Sequence, residues 1–236
     1  MLFRSTRVAA ASTAAVETPP VQRRLWREAA PDWMGYGGRW PTFGPLGGAY
    51  PVLDFLPGGQ YVWRLTRPYQ ALVVVAPWGA PQPDVFLRAA ARWGGPSDEG
   101  VWGVVCRYQG SERFYAFTWR GDGWAAIWKH SPEGIWALAP WRPVATPPAL
   151  GTPQPWASPT PQATPTPGLP WRRGQGSLSA VCQGSHLRLY VNGLLVAEAE
   201  DEAYRGGRVG LWAVAPAVAP WEVQWQDFDV YELFSP

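Results

Sequence analysis

Between positions 101 and 129 the chain reads VWGVVCRYQGSERFYAFTWRGDGWAAIWK, the stretch that most narrows what it can fold into. In an extended chain Trp102, Val104, Cys106 and Tyr108 share one face, and Val101, Gly103, Val105 and Arg107 share the other. Gln109-Gly110-Ser111-Glu112 and Gly121-Asp122-Gly123 have the composition of tight connections. The pattern predicts three short strands joined by two turns.

The same grammar continues on both sides. Strands are expected over 50–55, 59–66, 69–77 and 84–93, then over 135–141, 176–183, 186–192, 195–199, 208–215 and 221–233. The run FLRAAARW within 84–93 contains good helix formers. Its alternation of Val85, Leu87 and Ala89 against Phe86, Arg88 and Ala90, with a glycine stop, favours a strand. Asn192-Gly193 between two apolar runs is the strongest hairpin signal, because a type I′ turn needs positive φ twice. The 26 glycines and 27 prolines make up more than a fifth of 236 residues, and strong helical segments are nearly absent. The fold class is therefore all-β, a sandwich or barrel with core enough to stand without staples.

Residues 143–170 hold ten prolines, a cluster of threonines and no charge, a composition suited to polyproline II or disorder. We read them as an insertion or surface loop of one domain, since too few strands follow to build a second. Residues 1–32 read as a disordered leader or the end of an upstream linker, and residues 33–236 as the domain. The first 17 residues carry two arginines, an alanine-rich centre and no acid before Glu17, with too weak an apolar run for a convincing signal sequence. A net charge of +2 with scattered arginines argues against nucleic acid and anionic membrane surfaces as partners. No segment is long and apolar enough for a transmembrane helix, so no membrane insertion is expected.

Two cysteines occur in similar strand settings, Val-Val-Cys106-Arg and Ala-Val-Cys182-Gln. They either bridge neighbouring strands, which would place the protein in an oxidising compartment, or remain as buried thiols. With two histidines and no C-x-x-C, a zinc site is not expected. Asp98-Glu99 and Asp201-Glu202 offer oxygens for calcium but have no third ligand nearby, so neither metal nor cofactor is expected.

The segments GVVCRYQ, FYAFTWRGDGWAAIWK, SAVCQGSHLRLYVNG, AEDEAYRGGRVGLWA and QDFDV occur in an order that resembles the bacterial concanavalin A-like lectin/glucanase jelly roll. The likeness is to LamG-type and 3-keto-disaccharide hydrolase-like domains. It rests on Gly103 to Arg107, Leu187 to Gly193, Asp201, Tyr204, Gly207, Val209, Gly210, Leu211 and Asp227-Phe228. It spans about residues 40–233 without the proline-rich stretch. Ser177 stands where an asparagine is common, and Gln226-Asp227 where an aromatic is usual. The resemblance implies two facing antiparallel sheets, usually in a secreted or envelope protein and often appended to other modules; many such domains bind glycans without cleaving them, and many have no assigned ligand.

A glycosidase of this fold needs two carboxylates across the scissile bond. The nearest string, Asp227-Phe228-Asp229-Val230-Tyr231-Glu232, has aspartate in place of the nucleophilic glutamate. In a regular strand Glu232 points away from Asp227 and Asp229, so we read the string as coincidence. His130 and His186 lack a nucleophile-elbow setting, and no catalytic residue is assigned. Arg120-Gly121-Asp122 spells an adhesion tripeptide, but turn chemistry accounts for it.

Sugars stack their C–H faces on rings and bond polar side chains. Alternation places Tyr115, Phe117 and Trp119 together, near Arg107 and Arg88 if the sheets pair as the resemblance implies. These five are the candidate ligand residues, with Trp124 and Trp128 as a second set. The competing reading is that the rings fill the core. Arg107 has two equal roles open to it, ligand contact or partner of an internal carboxylate. The leading expectation is a non-catalytic polysaccharide- or glycan-binding module acting in the cell envelope or outside the cell. A glycoside-processing hydrolase and a structural protein-interaction module are the alternatives.

Overall fold

A computed structural model describes residues 23–29, 40–41, 51–56, 59–77, 81–144 and 172–234. The rest of the expected leader, and nearly all of the proline-rich segment, lie outside the described residues. In chain order the strands are β1 (Arg23–Ala29), β2 (Val52–Phe55), β3 (Tyr61–Leu65), β4 (Ala71–Val75), β5 (Val85–Gly95), β6 (Val101–Gly110) and β7 (Arg113–Arg120). They continue as β8 (Trp124–Ser131), β9 (Gly134–Pro143), β10 (Arg172–Gln183), β11 (His186–Val191), β12 (Leu194–Glu200), β13 (Arg208–Val214) and β14 (Trp221–Glu232). No helix occurs among the described residues.

Two antiparallel sheets face each other. One has eight strands in the order β12-β11-β10-β5-β14-β3-β2, with β1 added alongside β14; the other has six, β4-β13-β6-β7-β8-β9. Strands consecutive in sequence pair wherever the turn chemistry allows it. Asn192 and Gly193 both take positive φ, 50° and 81°, and close the β11–β12 hairpin. The stretch at 84–93 is a strand: β5 is bonded along its whole length to β10 on one side and β14 on the other.

The core lies between the sheets. From the six-stranded sheet come Trp102, Val104 and Cys106 on β6, Tyr115, Phe117 and Trp119 on β7, and Ile127 on β8. The eight-stranded sheet supplies Leu87 and Trp93, Leu178 and Cys182, and Trp225, Phe228 and Val230. Burying one such side chain contributes about 1.5–3 kcal/mol. Trp93, Trp102 and Trp119 meet one another at 5.1–5.5 Å between ring centroids, and Trp225 packs edge-on to Trp102 at 5.8 Å.

Three features differ from the sequence reading. Cys106 and Cys182 form a disulfide, but it joins β6 to β10 across the core, between the two sheets rather than between neighbouring strands. Arg23–Ala29, expected to stay outside the domain, pairs with the second half of β14 from Arg23↔Glu232 to Ala29↔Asp227. It extends the edge that β3 leaves when its own pairing with β14 ends at Trp225. Finally, the alternation of β6 breaks at Arg107, whose φ is 51°. The ladder with β7 skips from Cys106 to Gly110, so Tyr108 leaves the Cys106 face and packs on the outside beside Phe114.

Candidate functional site

The five residues singled out as ligand contacts do not come together on a surface. Tyr115 and Phe117 are fully buried and Trp119 is 7% exposed, all within the core cluster. A ring enclosed on both faces cannot stack on a sugar, so these three are core residues. Arg88 alone among the five is exposed, on the outer face of the eight-stranded sheet between Ser179 of β10 and Asp229 of β14.

Arg107 is 1% exposed, and its guanidinium closes one end of the sandwich. It donates to the carbonyls of Pro83 (3.1 Å) and Tyr204 (2.7 Å) and to Asp84 Oδ1 (3.3 Å). Of its two open roles, the structure shows the internal carboxylate. Burial lowers the Arg107 pKa, and Asp84 opposes the shift. Nearby, Tyr115 donates to Asp201 at 2.5 Å and Lys129 reaches the other Asp201 oxygen at 2.8 Å. Burial raises the Asp201 carboxyl, but the bonds from Lys129, Tyr115 and the Ala203 amide outweigh it and leave the group below its ordinary value. Burial, then the bond to Asp201, pushes Tyr115 upward. Every strong partner in this network is another protein group, which gives it the character of a structural clasp.

The outer face of the six-stranded sheet is different. Across its middle Trp212 of β13, Gly103 of β6, Thr118 of β7 and Ala126 of β8 stand opposite one another in register. Three of those four positions carry small side chains. Rings from adjacent rows therefore lie down over them: Trp128 donates its indole N–H to Thr118 Oγ1 at 3.1 Å and meets Trp141 edge-on at 5.6 Å. Thr118 and Ala126 end up buried, while Trp212, Trp128, Trp141 and Trp124 stay half-exposed. Arg120 lies 5.4 Å from the Trp141 ring and 6.0 Å from Trp124. Its guanidinium is held by two bonds of 2.6 Å to Asp122, so both charged groups of the adhesion-like tripeptide satisfy each other. Toward the other end, His130 stacks on Phe114 at 4.2 Å and meets Trp212 at 5.1 Å; burial pushes its pKa down to about 4. The second set, Trp124 and Trp128, thus belongs to an aromatic plate on the outside of the sheet, which the strand alternation by itself did not distinguish from the core. The signal was there in the small residues on alternate positions: Gly103, Ala116, Thr118 and Ala126.

On the opposite sheet the string from Asp227 to Glu232 splits by face. Asp227 and Asp229 are registered with Ala90 and Arg88 on the outside, and Glu232 with the buried Val85 on the core-facing side. Asp229, whose register partner on β1 is Arg27, is buried, which raises its carboxyl; Arg24 and Arg27, 3.9 and 3.8 Å away, and Arg88 oppose the shift. Among the described residues no three His, Cys, Asp or Glu side chains gather as a metal-binding group.

No protein-family model matches the sequence, and a search of curated proteins gave no match. Solved structures do match. A carbohydrate-binding module, CBM66, from Bacillus subtilis superposes with a TM-score of 0.51 at 12% identity, covering 75% of this chain and 89% of that one. A Bacillus subtilis protein of unknown function with a galectin-like fold gives 0.54 at 11% identity, covering 91% and 98%. The Bacillus licheniformis β-glucanase gives 0.54 at 10% identity, covering 88% and 98%. At these identities the likeness defines the fold. The domain has a two-sheet jelly-roll sandwich fold, similar to that of the galectin-like protein and the β-glucanase.

Proposed function

We propose that this protein is a non-catalytic carbohydrate-binding module that takes a glycan on the aromatic plate outside β6–β9. The observation that carries the reading is the row Trp212, Trp128 and Trp141, half-exposed over a floor of small residues, with Arg120 at its border. Pyranose C–H faces stack on such rings, and neighbouring polar groups take the hydroxyls. The reading is supported by the carbohydrate-binding module among solved structures of the same fold. Asp122 and Asp201, the carboxylates bonded to residues of β7 and β8, are each held in an ion pair, which favours binding over hydrolysis. Work outside the cell or in its envelope, as one module of a longer protein, fits the disulfide.

Affinity electrophoresis through a panel of neutral polysaccharides tests it. The native protein should be retarded by at least one of them. Trp128→Ala and Trp141→Ala should each weaken that retardation about tenfold, ~1.4 kcal/mol, while the variants keep the native far-ultraviolet spectrum. No retardation on any polysaccharide would remove the reading, as would variants that bind like the native protein. Release of reducing ends during the same incubation would favour the hydrolase instead.

A further inference from the structure

The face opposite the aromatic plate carries a depression of 550 Å³ built from a different chemistry. No ring lines it. Ala90 of β5 forms its floor, flanked in register by Ser177 of β10 and Asp227 of β14. Adjacent strands lie about 4.8 Å apart, so Ser177 and Asp227 face each other across roughly 10 Å with only a methyl group between them. One step along β5, Arg92 rises between Gln175 of β10 and Gln224 of β14. One step the other way stands exposed Arg88.

Two details make this more than a gap between side chains. The β14 ladder slips between Trp225 and Asp227, so Gln226 is an extra residue in the strand. A regular strand sends neighbours to opposite faces; the bulge lets Gln226 and Asp227 both line the depression while Trp225 and Phe228 stay in the core. The second wall is equally fixed. Asn192, at the tip of the β11–β12 hairpin, accepts a bond from the Ser177 amide at 3.0 Å and donates its own amide to the Ser177 carbonyl at 2.8 Å. Inside these walls the charges are uncommitted. Among the described residues Asp227 has no hydrogen bond or ion pair, Arg92 Nε has no acceptor, and the Arg92 guanidinium is in no ion pair.

We infer that this depression is a second binding site, for a sugar that carries a carboxylate, of the uronic acid class. A guanidinium engages a carboxylate through paired N–H donors, with Arg92 at the site and Arg88 beside it. Asp227 accepts from vicinal hydroxyls, and Gln175, Ser177 and Asn192 supply further donors and acceptors. The missing aromatic ring sets this site apart from the plate. Its ligand is held by directional bonds, and its affinity falls as salt screens the charge. A module with one site on each sheet would tether two segments of an acidic polysaccharide.

NMR titration of the native chain with digalacturonic acid, and with neutral galactobiose as control, decides the matter. The acid is expected to shift resonances of β5, β10 and the end of β14, and galactobiose to bind there at least tenfold more weakly. Ala90→Phe, whose side chain points outward and fills the floor, should abolish the response. Arg92→Gln should weaken it tenfold or more while keeping the native spectrum, and Trp128→Ala should leave it unchanged. Failure of the plate to bind glycan would not affect this result. The inference is overturned if digalacturonic acid gives no shifts at these strands, if galactobiose binds there equally well, or if Ala90→Phe and Arg92→Gln respond as the native protein does.

Discussion

Reduction of the Cys106–Cys182 bond is the perturbation whose cost can be worked most directly. The bridge ties one sheet to the other and spans 76 residues of sequence. In the chain-entropy treatment a loop of that length removes about 15 cal/mol/K from the unfolded state, ~4.5 kcal/mol at 25 °C, against about 2–4 kcal/mol for bridges in practice. A chain of 236 residues unfolds with an entropy of about 0.5 kcal/mol/K near 60 °C. The melting temperature should therefore fall by roughly 4–9 °C on reduction. Calorimetry of oxidised and reduced protein measures this, with a Cys106→Ala/Cys182→Ala variant alongside. Both sulfurs are fully buried, so the variant also opens a cavity and should melt below the reduced protein by a further ~1–2 kcal/mol equivalent. Near-ultraviolet spectra at 25 °C should superpose before and after reduction, because the effect lies in the unfolded chain. A shift under about 2 °C would refute the entropy argument, and so would a changed native spectrum.

Three further outcomes follow from the geometry. Arg107→Met strands the Pro83 and Tyr204 carbonyls and the Asp84 carboxylate; urea titration should show a loss of about 3 kcal/mol, and a loss below about 1 would mean the clasp is slack. His130, whose pKa is pushed down to about 4, resists protonation in the folded state, so the unfolded state binds the proton first as pH falls below 6.5. Stability should drop between pH 6.5 and about 4, by at most ~3 kcal/mol, and His130→Asn should remove that part of the slope in pH-dependent urea midpoints. Gly176→Ala places a methyl group against the Trp119 ring and Asn192 Oδ1, and should cost about 1–3 kcal/mol by thermal melting.

Strand positions were legible because turns are spelled by residue type: Asn192-Gly193 and Gly121-Asp122-Gly123 can do little else. Which face of a strand turns inward was not. On β7 both alternating sets are apolar, Phe114 and Ala116 against Tyr115 and Phe117, so periodicity cannot choose between them. The bulge at Arg107 is silent in sequence, because an arginine does not announce a positive φ. For β1, four charges in RRLWREA and an irregular register between Arg24 and Trp26 hide the strand. The cysteines showed where they sit along their strands but not that those strands lie in opposite sheets, a fact of topology rather than of local pattern.

The tryptophans are sorted into core and surface by what stands beside them. Where a neighbour offers glycine, a ring can press on backbone: Trp119 crosses the core to lie over Gly176 of the facing sheet, and Trp93 leans over Gly174, its register partner on the adjacent strand, and a Cβ at either glycine would overlap the indole. Where small residues occupy the outer face, as Gly103, Thr118 and Ala126 do, rings fold down onto the sheet and keep one part exposed. A large residue at Ala126 would displace Trp128 without touching the core, since Ala126 alternates with Ala125 and Ile127, which face inward. The floor of the aromatic plate and the core between the sheets are thus built on alternate residues of the same strands, β7 and β8. Strand parity separates the two faces, so a substitution that disturbs the plate should leave the packing between the sheets in place.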